Sequence, residues 1–108
     1  MAFLKDELLL QTATASTTGS WFPLNWRDDP GGTIRSFTGK LTSGDTVYME
    51  VTNQRVTDSQ GIAVSVSVIA TVSAFTEAIF SSAFTGPFVA VRFRKTGTTG
   101  PATVYGIV

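Results

Sequence analysis

The last third of the chain limits the fold more than any other stretch. Two runs rich in β-branched and aromatic residues, 86–95 and 102–108, flank a connection of glycine, threonine and proline at 96–101. This composition predicts a β-hairpin with a short loop. Because Ile107 and Val108 end the second run, we expect that run to be tied into a sheet, where apolar groups leave water. Both runs should therefore belong to the structural core.

Further short strands are predicted upstream, each bounded by turn signals. They cover residues 33–41, 46–52 and 62–68, and a tight turn at 43–45 separates the first two. Residues 62–68 alternate most regularly, and four apolar side chains should point inward: Ile62, Val64, Val66 and Val68. In 46–52 the period of two divides the strand into an apolar face of Val47, Met49 and Val51 and a polar face of Tyr48, Glu50 and Thr52.

Two regions leave alternatives open. Residues 1–10 begin either as a turn of helix or as an extended arm, and from Leu8 onward the pattern favours a strand that ends at 16–19. Residues 75–84 fit a short helix at several positions, but their threonine and phenylalanine content favours a strand. Residues 53–61 are polar and predict a loop.

Seven or eight short strands, with turn signals between them and no long helical pattern, predict an all-β fold. The expected architecture is an antiparallel β-sandwich or jelly roll. The length of 108 residues suits a single domain over 1–108, with residues 1–7 available as an extended N-terminal arm.

The charge and residue inventory excludes several functions. Eight basic and eight acidic residues give a formal net charge of zero, which lacks the electrostatic footprint of a nucleic-acid binder. Without cysteine or histidine, the chain has no thiolate nucleophile, no Ser-His pair and almost no basis for a transition-metal site. No run is apolar and long enough to span a bilayer as a helix. We expect no cofactor, metal, nucleic-acid or membrane partner, and a neutral surface suits a subunit of an assembly.

The carboxylates offer two weak candidates for chemistry. Asp28 and Asp29 could supply oxygen ligands to Ca²⁺, with Asp45 or Asp58 brought near by the fold. No EF-hand spacing is present, however, and a solvated turn at 27–32 is the favoured interpretation. A pair drawn from Asp28, Asp29, Asp58, Glu50 and Glu77 would suit glycoside hydrolysis, although the eight carboxylates of the chain would yield such a pair by chance. The protein is not expected to be an enzyme.

Aromatic and arginine side chains are the better candidates for binding. Residues 20–26 predict an extended segment, and Pro23 places it on a sheet edge or beside a bulge. Its aromatic residues, Trp21, Phe22 and Trp26, can cover the domain's own core, contact a neighbouring subunit or stack on a sugar. Arg92 and Arg94 share one strand face, with Lys95 on the other, and should form cross-strand ion pairs with Glu50 or Glu77, or pairs between subunits.

The sequence of residues 33–108 also resembles that of a known class of proteins. The stretches FTGKLTSGDTVYMEV at 37–51, GPFVAVRFR at 86–94 and GTTGPATVY at 97–105 resemble small virion proteins of tailed bacteriophages. Those proteins are β-sandwich modules that decorate or cement capsids, or belong to tail and fibre assemblies. They commonly close with an arginine-bearing strand, a Gly/Thr loop and a terminal strand, which would put Arg92 and Arg94 at the arginine position. The segment 21–26 and the Phe3-Leu4 arm match no pattern of that family.

The resemblance implies a structural virion protein. The expected function is a capsid cement or decoration subunit that bridges neighbouring coat subunits in the virion and associates with itself, with a trimer as the expected form. The alternative is a carbohydrate- or receptor-binding module of a tail or fibre, which would present Trp21, Trp26 and Tyr48 to a sugar. The residues expected to bind partners are Phe3, Leu4, Trp21, Phe22, Trp26, Arg92 and Arg94.

Overall fold

Nine short strands and no helix make up the regular structure of residues 6–23, 35–84 and 88–107, which are the residues described by this computed structural model. The strands, numbered in chain order, are β1 Asp6–Gln11, β2 Thr17–Thr18, β3 Phe22–Pro23, β4 Arg35–Lys40, β5 Thr46–Thr52, β6 Ala70–Phe75, β7 Ile79–Phe84, β8 Ala90–Thr96 and β9 Thr103–Ile107.

The strands form two antiparallel sheets packed face to face. The four-stranded sheet has the order β1-β9-β4-β7, and the five-stranded sheet has the order β2-β8-β5-β6, with β3 also paired to β8. The prediction of an antiparallel β-sandwich is therefore confirmed. Thr46–Thr52 is a strand with the predicted bounds, and 33–41 contains β4.

The core lies between the two sheets. Phe37 of β4 and Phe93 of β8 meet across it edge to face, with ring centroids 5.0 Å apart and both side chains almost fully buried. This geometry is favoured for aromatic pairs, and it joins the central strands of the two layers. The remaining buried apolar side chains of the core are Leu9, Leu10, Leu41, Val47, Met49, Val51, Phe80, Val91, Ala102 and Val104.

The predicted C-terminal hairpin is wrong in its pairing, although both of its strands are present. β8 lies in the five-stranded sheet between β5 and the β2/β3 edge, whereas β9 lies in the four-stranded sheet between β1 and β4. The connecting loop therefore crosses from one layer to the other. Because each strand already has neighbours on both edges, neither has a free edge for the other. The prediction that both runs are core is confirmed, as Val91 and Val104 are fully buried.

The strand predicted at 62–68 is also wrong. These residues form a loop with one isolated bridge, Thr57 to Ala63. Ile62, Val64 and Val68 are exposed rather than inward, and Val66 is half-buried. The Gln54 side chain holds the loop backbone, since its amide donates to the Ser65 carbonyl and accepts from the N–H groups of Ser67 and Val68. Two consecutive N–H groups that donate to one oxygen are not compatible with a strand here. An alternating apolar and polar sequence is therefore present here without a β-strand.

The remaining predictions have mixed outcomes. The strand alternative for 75–84 is confirmed, because β7 begins at Ile79 after β6 ends at Phe75. The prediction that Pro23 lies at a sheet edge is confirmed by β3, which pairs only with β8 among the described residues. The first strand begins at Asp6, earlier than predicted. Residues 1–5, including Phe3 and Leu4, lie outside the described residues, as do Trp26, Asp28, Asp29 and the loop at 27–32.

Candidate partner-binding surfaces

An arginine ladder occupies the outer face of the five-stranded sheet. We give this name to Trp21, Tyr48, Glu50, Arg92 and Arg94. The antiparallel register of β5 and β8 sets Glu50 directly opposite Arg92, and Tyr48 directly opposite Arg94. Side chains that are directly opposite on an antiparallel pair lie close enough to interact. Strand register therefore brings these groups together.

Ion pairs connect the centre of the ladder. The Arg92 Nε lies 2.7 Å from Glu50 Oε1, and the Arg94 Nε lies 3.4 Å from Glu50 Oε2, so one carboxylate serves two guanidinium groups. Glu50 is nearly buried, with a side-chain exposure of 7%, whereas Arg92 and Arg94 are 18% and 31% exposed. The predicted cross-strand ion pairs with Glu50 are therefore present, and the cluster carries a surplus of one positive charge.

Aromatic rings complete the ladder at both ends. The guanidinium carbon of Arg92 lies 4.5 Å from the centroid of the Trp21 ring, and that of Arg94 lies 4.4 Å from the centroid of Tyr48. Both distances suit cation–π contacts. Five N–H groups are available on each guanidinium, and the contact with Glu50 uses the Nε of each. The ladder thus offers a partly exposed, amphipathic surface to a carboxylate or to a flat polar ligand.

A second surface is the apolar segment, which we define as residues 62–74. It contains the second half of the long loop after β5, residues 62–69, and most of edge strand β6, and it exposes the large apolar side chains Ile62, Val64, Val68 and Val72. Val68 is 70% exposed. No charged residue occurs between Asp58 and Glu77. Contiguous exposed apolar groups of this kind mark interaction surfaces.

A third surface is the outer face of the four-stranded sheet. Ile79 and Tyr105 are 69% and 57% exposed there, and Leu8, paired with Tyr105 in the register of β1 and β9, is also exposed. Two shallow cavities of about 530 and 390 Å³ lie side by side on this face and share Thr38 and Ile79 in their walls. The larger one also reaches the stacked rings of Phe75 and Phe80. This face could therefore contact a partner through two shallow cavities lined by both polar and apolar side chains.

A different pair of charges is enclosed near the ends of β5 and β8. Lys95 lies on the face of β8 opposite Arg92 and Arg94, as predicted, and this face points inward. Lys95 is 1% exposed, and its Nζ lies 3.4 Å from Asp45 Oδ2. Lys95 also donates to the carbonyl groups of Ala13, Thr14 and Gly100. We call this arrangement the buried latch, because it ties the N-terminal segment to the loop that crosses between the sheets.

The carboxylate of the latch is held in its ionised form by hydrogen bonds. Burial alone would raise the pKa of Asp45, but hydrogen bonds from Thr99 and from the Gly100 N–H, together with Lys95, hold that pKa below its ordinary value of 3.8. The loop turns at Gly97, whose φ is 105°, and a side chain on Gly97 would collide with the Asp45 carboxylate. Every contact in the latch is therefore within the chain itself.

The predicted site residues are divided among these environments. Trp21, Arg92 and Arg94 meet in the ladder, and Tyr48 joins them, as does Glu50. Phe22 is half-buried and packs against the domain's own core. The sequence placed Asp45 in a turn and offered it as a possible Ca²⁺ ligand, but it did not predict the latch. The signal for the latch was a lysine at an inward position of β8 with no predicted partner.

Metal and membrane features are limited in the described part of the chain. Residues 6–23, 35–84 and 88–107 contain no group of three or more acidic side chains arranged to hold a metal ion. The same ranges include no helix long and apolar enough to cross a membrane. Comparison of the chain with protein-family models, with curated proteins and with solved structures gave no match.

Proposed function

We propose that this protein is a structural subunit of a tailed-phage virion, a capsid cement or decoration protein that bridges neighbouring coat subunits and associates with itself. The observation that carries the proposal is the presence of large exposed apolar side chains on two separate surfaces, the apolar segment and the outer face of the four-stranded sheet. A bridging subunit needs at least two contacts. The resemblance of residues 33–108 to virion proteins supplies the class of assembly.

The electrostatic character supports the same function. The chain has no net charge, and only 15% of its residues are charged, against about 25% in a typical soluble domain. Such a surface gives little repulsion between copies. The surplus guanidinium donors of Arg92 and Arg94 are suited to carboxylates at the rim of a subunit interface, where charges contribute specificity more than affinity.

The test is incorporation into particles. Mass spectrometry of purified particles should detect the protein, and recombinant protein should rebind particles from which it has been removed. Because association has its own entropic cost, we expect each seam to bury more than about 1,000 Å². Ile79→Lys, on the outer face of the four-stranded sheet, should lower occupancy on the particle. Absence of the protein from particles, together with no binding to coat subunits, would overturn the proposal.

A carbohydrate- or receptor-binding module is the second candidate, and one observation favours it. Trp21 and Tyr48, both named as sugar-stacking candidates by the sequence, lie on the same ladder. Each ring has a guanidinium over one face, so that only the opposite face could receive a sugar. A glycan array distinguishes this candidate from the first. Binding that is lost in Trp21→Ala while circular dichroism remains unchanged would favour a sugar-binding role.

A further inference from the structure

The arginine ladder covers its negative charge and exposes its positive charge. The Glu50 side chain is 7% exposed, whereas the side chains of Arg92 and Arg94 are 18% and 31% exposed. One carboxylate between two guanidinium groups leaves a surplus of one positive charge. A molecule that approaches this face of the five-stranded sheet therefore meets guanidinium groups whose counter-ion is largely covered. One further negative charge would balance the ladder.

The two arginines of the ladder are not equivalent. Arg92 makes the shorter contact with Glu50, at 2.7 Å, whereas the Nε of Arg94 lies 3.4 Å from the other oxygen of that carboxylate. Among the described residues, the Arg94 guanidinium forms its hydrogen bond through Nε alone, which leaves the N–H groups of its two Nη atoms for a ligand. Arg92 is therefore the anchor of Glu50, and Arg94 is the arginine more available to a partner.

The neighbours of Arg94 complete a small binding site. In the strand register, Thr18 of β2 lies directly opposite Arg94 on one side, and Tyr48 of β5 lies directly opposite on the other. Residues in such cross-strand positions share one face of the sheet. Thr18 is exposed, and its hydroxyl has no hydrogen-bond partner in the described part of the chain. The Tyr48 ring, 4.4 Å from the guanidinium carbon, supports the guanidinium plane.

The chemistry of this site selects a carboxylate. A guanidinium group can bind a carboxylate through two parallel hydrogen bonds, and a hydroxyl can donate a third. The surplus of one charge matches a carboxylate better than a phosphate monoester, which carries about −1.5 to −2 charges at neutral pH. A neutral sugar would stack on a ring face, but Arg94 covers one face of Tyr48. The site therefore favours an acidic side chain.

We propose that Arg94, Thr18 and Tyr48 form a binding site for one carboxylate, the side chain of an aspartate or glutamate on a partner protein. Arg92 and Glu50 are positioning residues, because they hold the Arg94 guanidinium in place through the shared carboxylate. The inference rests on the proposed function, in which the partner is a coat subunit, and it specifies the contact made at the ladder. Such a contact contributes to the specificity of an interface more than to its affinity.

NMR titration with a small probe tests the site without particles. The probe is N-acetyl-L-glutamate α-methylamide, which carries one carboxylate, and its neutral match is the corresponding glutamine compound. At constant ionic strength, the Nε–H signal of Arg94 and the backbone N–H signal of Tyr48 should shift and saturate with the first compound and not with the second. Inorganic phosphate and glucuronate are titrated in the same way. Tighter binding of either one than of the glutamate probe would overturn the choice of ligand.

Matched variants locate the binding site. Arg94→Gln should weaken binding of the glutamate probe about tenfold or more, and Thr18→Val about threefold, because each removes hydrogen-bond donors to a charged group. Arg55→Gln removes the same charge from an exposed residue in the loop after β5 and should leave the dissociation constant unchanged. Circular dichroism checks that every variant is folded. No shift of the Tyr48 signal in the wild type, or equal weakening by Arg94→Gln and Arg55→Gln, would overturn the site.

Particle rebinding separates this inference from the proposed function. Arg94→Gln should lower occupancy on stripped particles, whereas Arg55→Gln should not. A protein that binds the glutamate probe at Arg94 but is absent from particles would retain the carboxylate site and overturn the proposed function. A protein that occupies particles, and whose occupancy and probe binding are both unaffected by Arg94→Gln, would retain the proposed function and overturn the site.

Discussion

The buried latch and the arginine ladder both pair a carboxylate at or next to β5 with basic side chains of β8. They differ in whether the chain itself supplies all the hydrogen-bond partners of those charges. In the latch, Lys95 and Asp45 are enclosed, and the ammonium group has carbonyl partners as well as its carboxylate. In the ladder, one carboxylate is shared by two partly exposed guanidinium groups. A buried charged group whose hydrogen-bond partners all come from its own chain stabilises the fold. A partly exposed guanidinium group that retains N–H donors can also bind a partner.

The largest expected effect comes from breaking the latch. Lys95→Met should lower the free energy of unfolding by about 3–5 kcal/mol, because it leaves the Asp45 carboxylate and three carbonyl groups without their buried partner. Lys40→Met, at an exposed lysine on β4, should change it by less than about 0.5 kcal/mol. Urea unfolding of both variants measures the difference. Equal, small effects would mean that the latch contributes nothing to the fold.

The face on which Lys95 lies could be predicted from the sequence, but its partners in the latch could not. Strand periodicity predicted that Lys95 lies on the face opposite Arg92 and Arg94, and it predicted the two faces of β5, since both follow from the period of two. The partners of Lys95 could not be predicted, because Ala13 and Thr14 are about eighty residues away along the chain and meet it only after the sheets have packed. The ion pairs of the ladder were predictable because they depend on register within one pair of strands.

The same distinction explains the two errors in the fold. The C-terminal strands were assigned to a hairpin because they are neighbours in sequence, but the number of free sheet edges decides pairing, and that is a property of the whole topology. The pattern at 62–68 was assigned to a strand because alternation records a preference for a pleated, half-buried surface and not the presence of a neighbouring strand. Both errors concern long-range pairing. Two local elements were also misplaced: no strand was predicted at Ala70–Phe75, where β6 lies, and the first strand ends at Gln11 and not at 16–19.

Acid should weaken the latch, because protonation of Asp45 removes the charge that pairs with Lys95. Because the pKa of Asp45 in the folded protein lies below its ordinary value of 3.8, the stability that this carboxylate contributes is complete above about pH 4 and is lost as pH falls through the folded value. Asp45→Asn should be less stable than wild type at pH 7 and should lose this part of the acid dependence. Thermal unfolding between pH 7 and pH 2 checks this. A variant with an unchanged acid limb would contradict the role given to Asp45.

Removing the shared carboxylate of the ladder should have a smaller effect than breaking the latch. Glu50→Gln keeps the shape of the side chain but leaves two neighbouring guanidinium groups without their counter-ion, and we expect a loss of about 1 kcal/mol, since both arginines can turn toward water. The loss should shrink in high salt, because salt screens the repulsion between the two exposed charges. Urea unfolding in low and high salt tests this. A decrease in the free energy of unfolding as large as that of Lys95→Met would mean that the ladder stabilises the fold as much as the latch does.

The smallest expected effect separates the aromatic end of the ladder from its ionic centre. Arg94 contacts both the Tyr48 ring and the far oxygen of Glu50, so a single substitution cannot assign its contribution. A double-mutant cycle with Arg94→Met and Tyr48→Leu isolates the ring contact, and a coupling of about 0.5–1 kcal/mol is expected for a cation–π pair that is partly exposed. A coupling near zero would mean that the guanidinium rests over the ring without being held by it. In that case the Tyr48 ring and the Arg94 guanidinium would both be free to turn toward a partner. The ladder would then contribute less to the stability of the fold than its partial burial suggests.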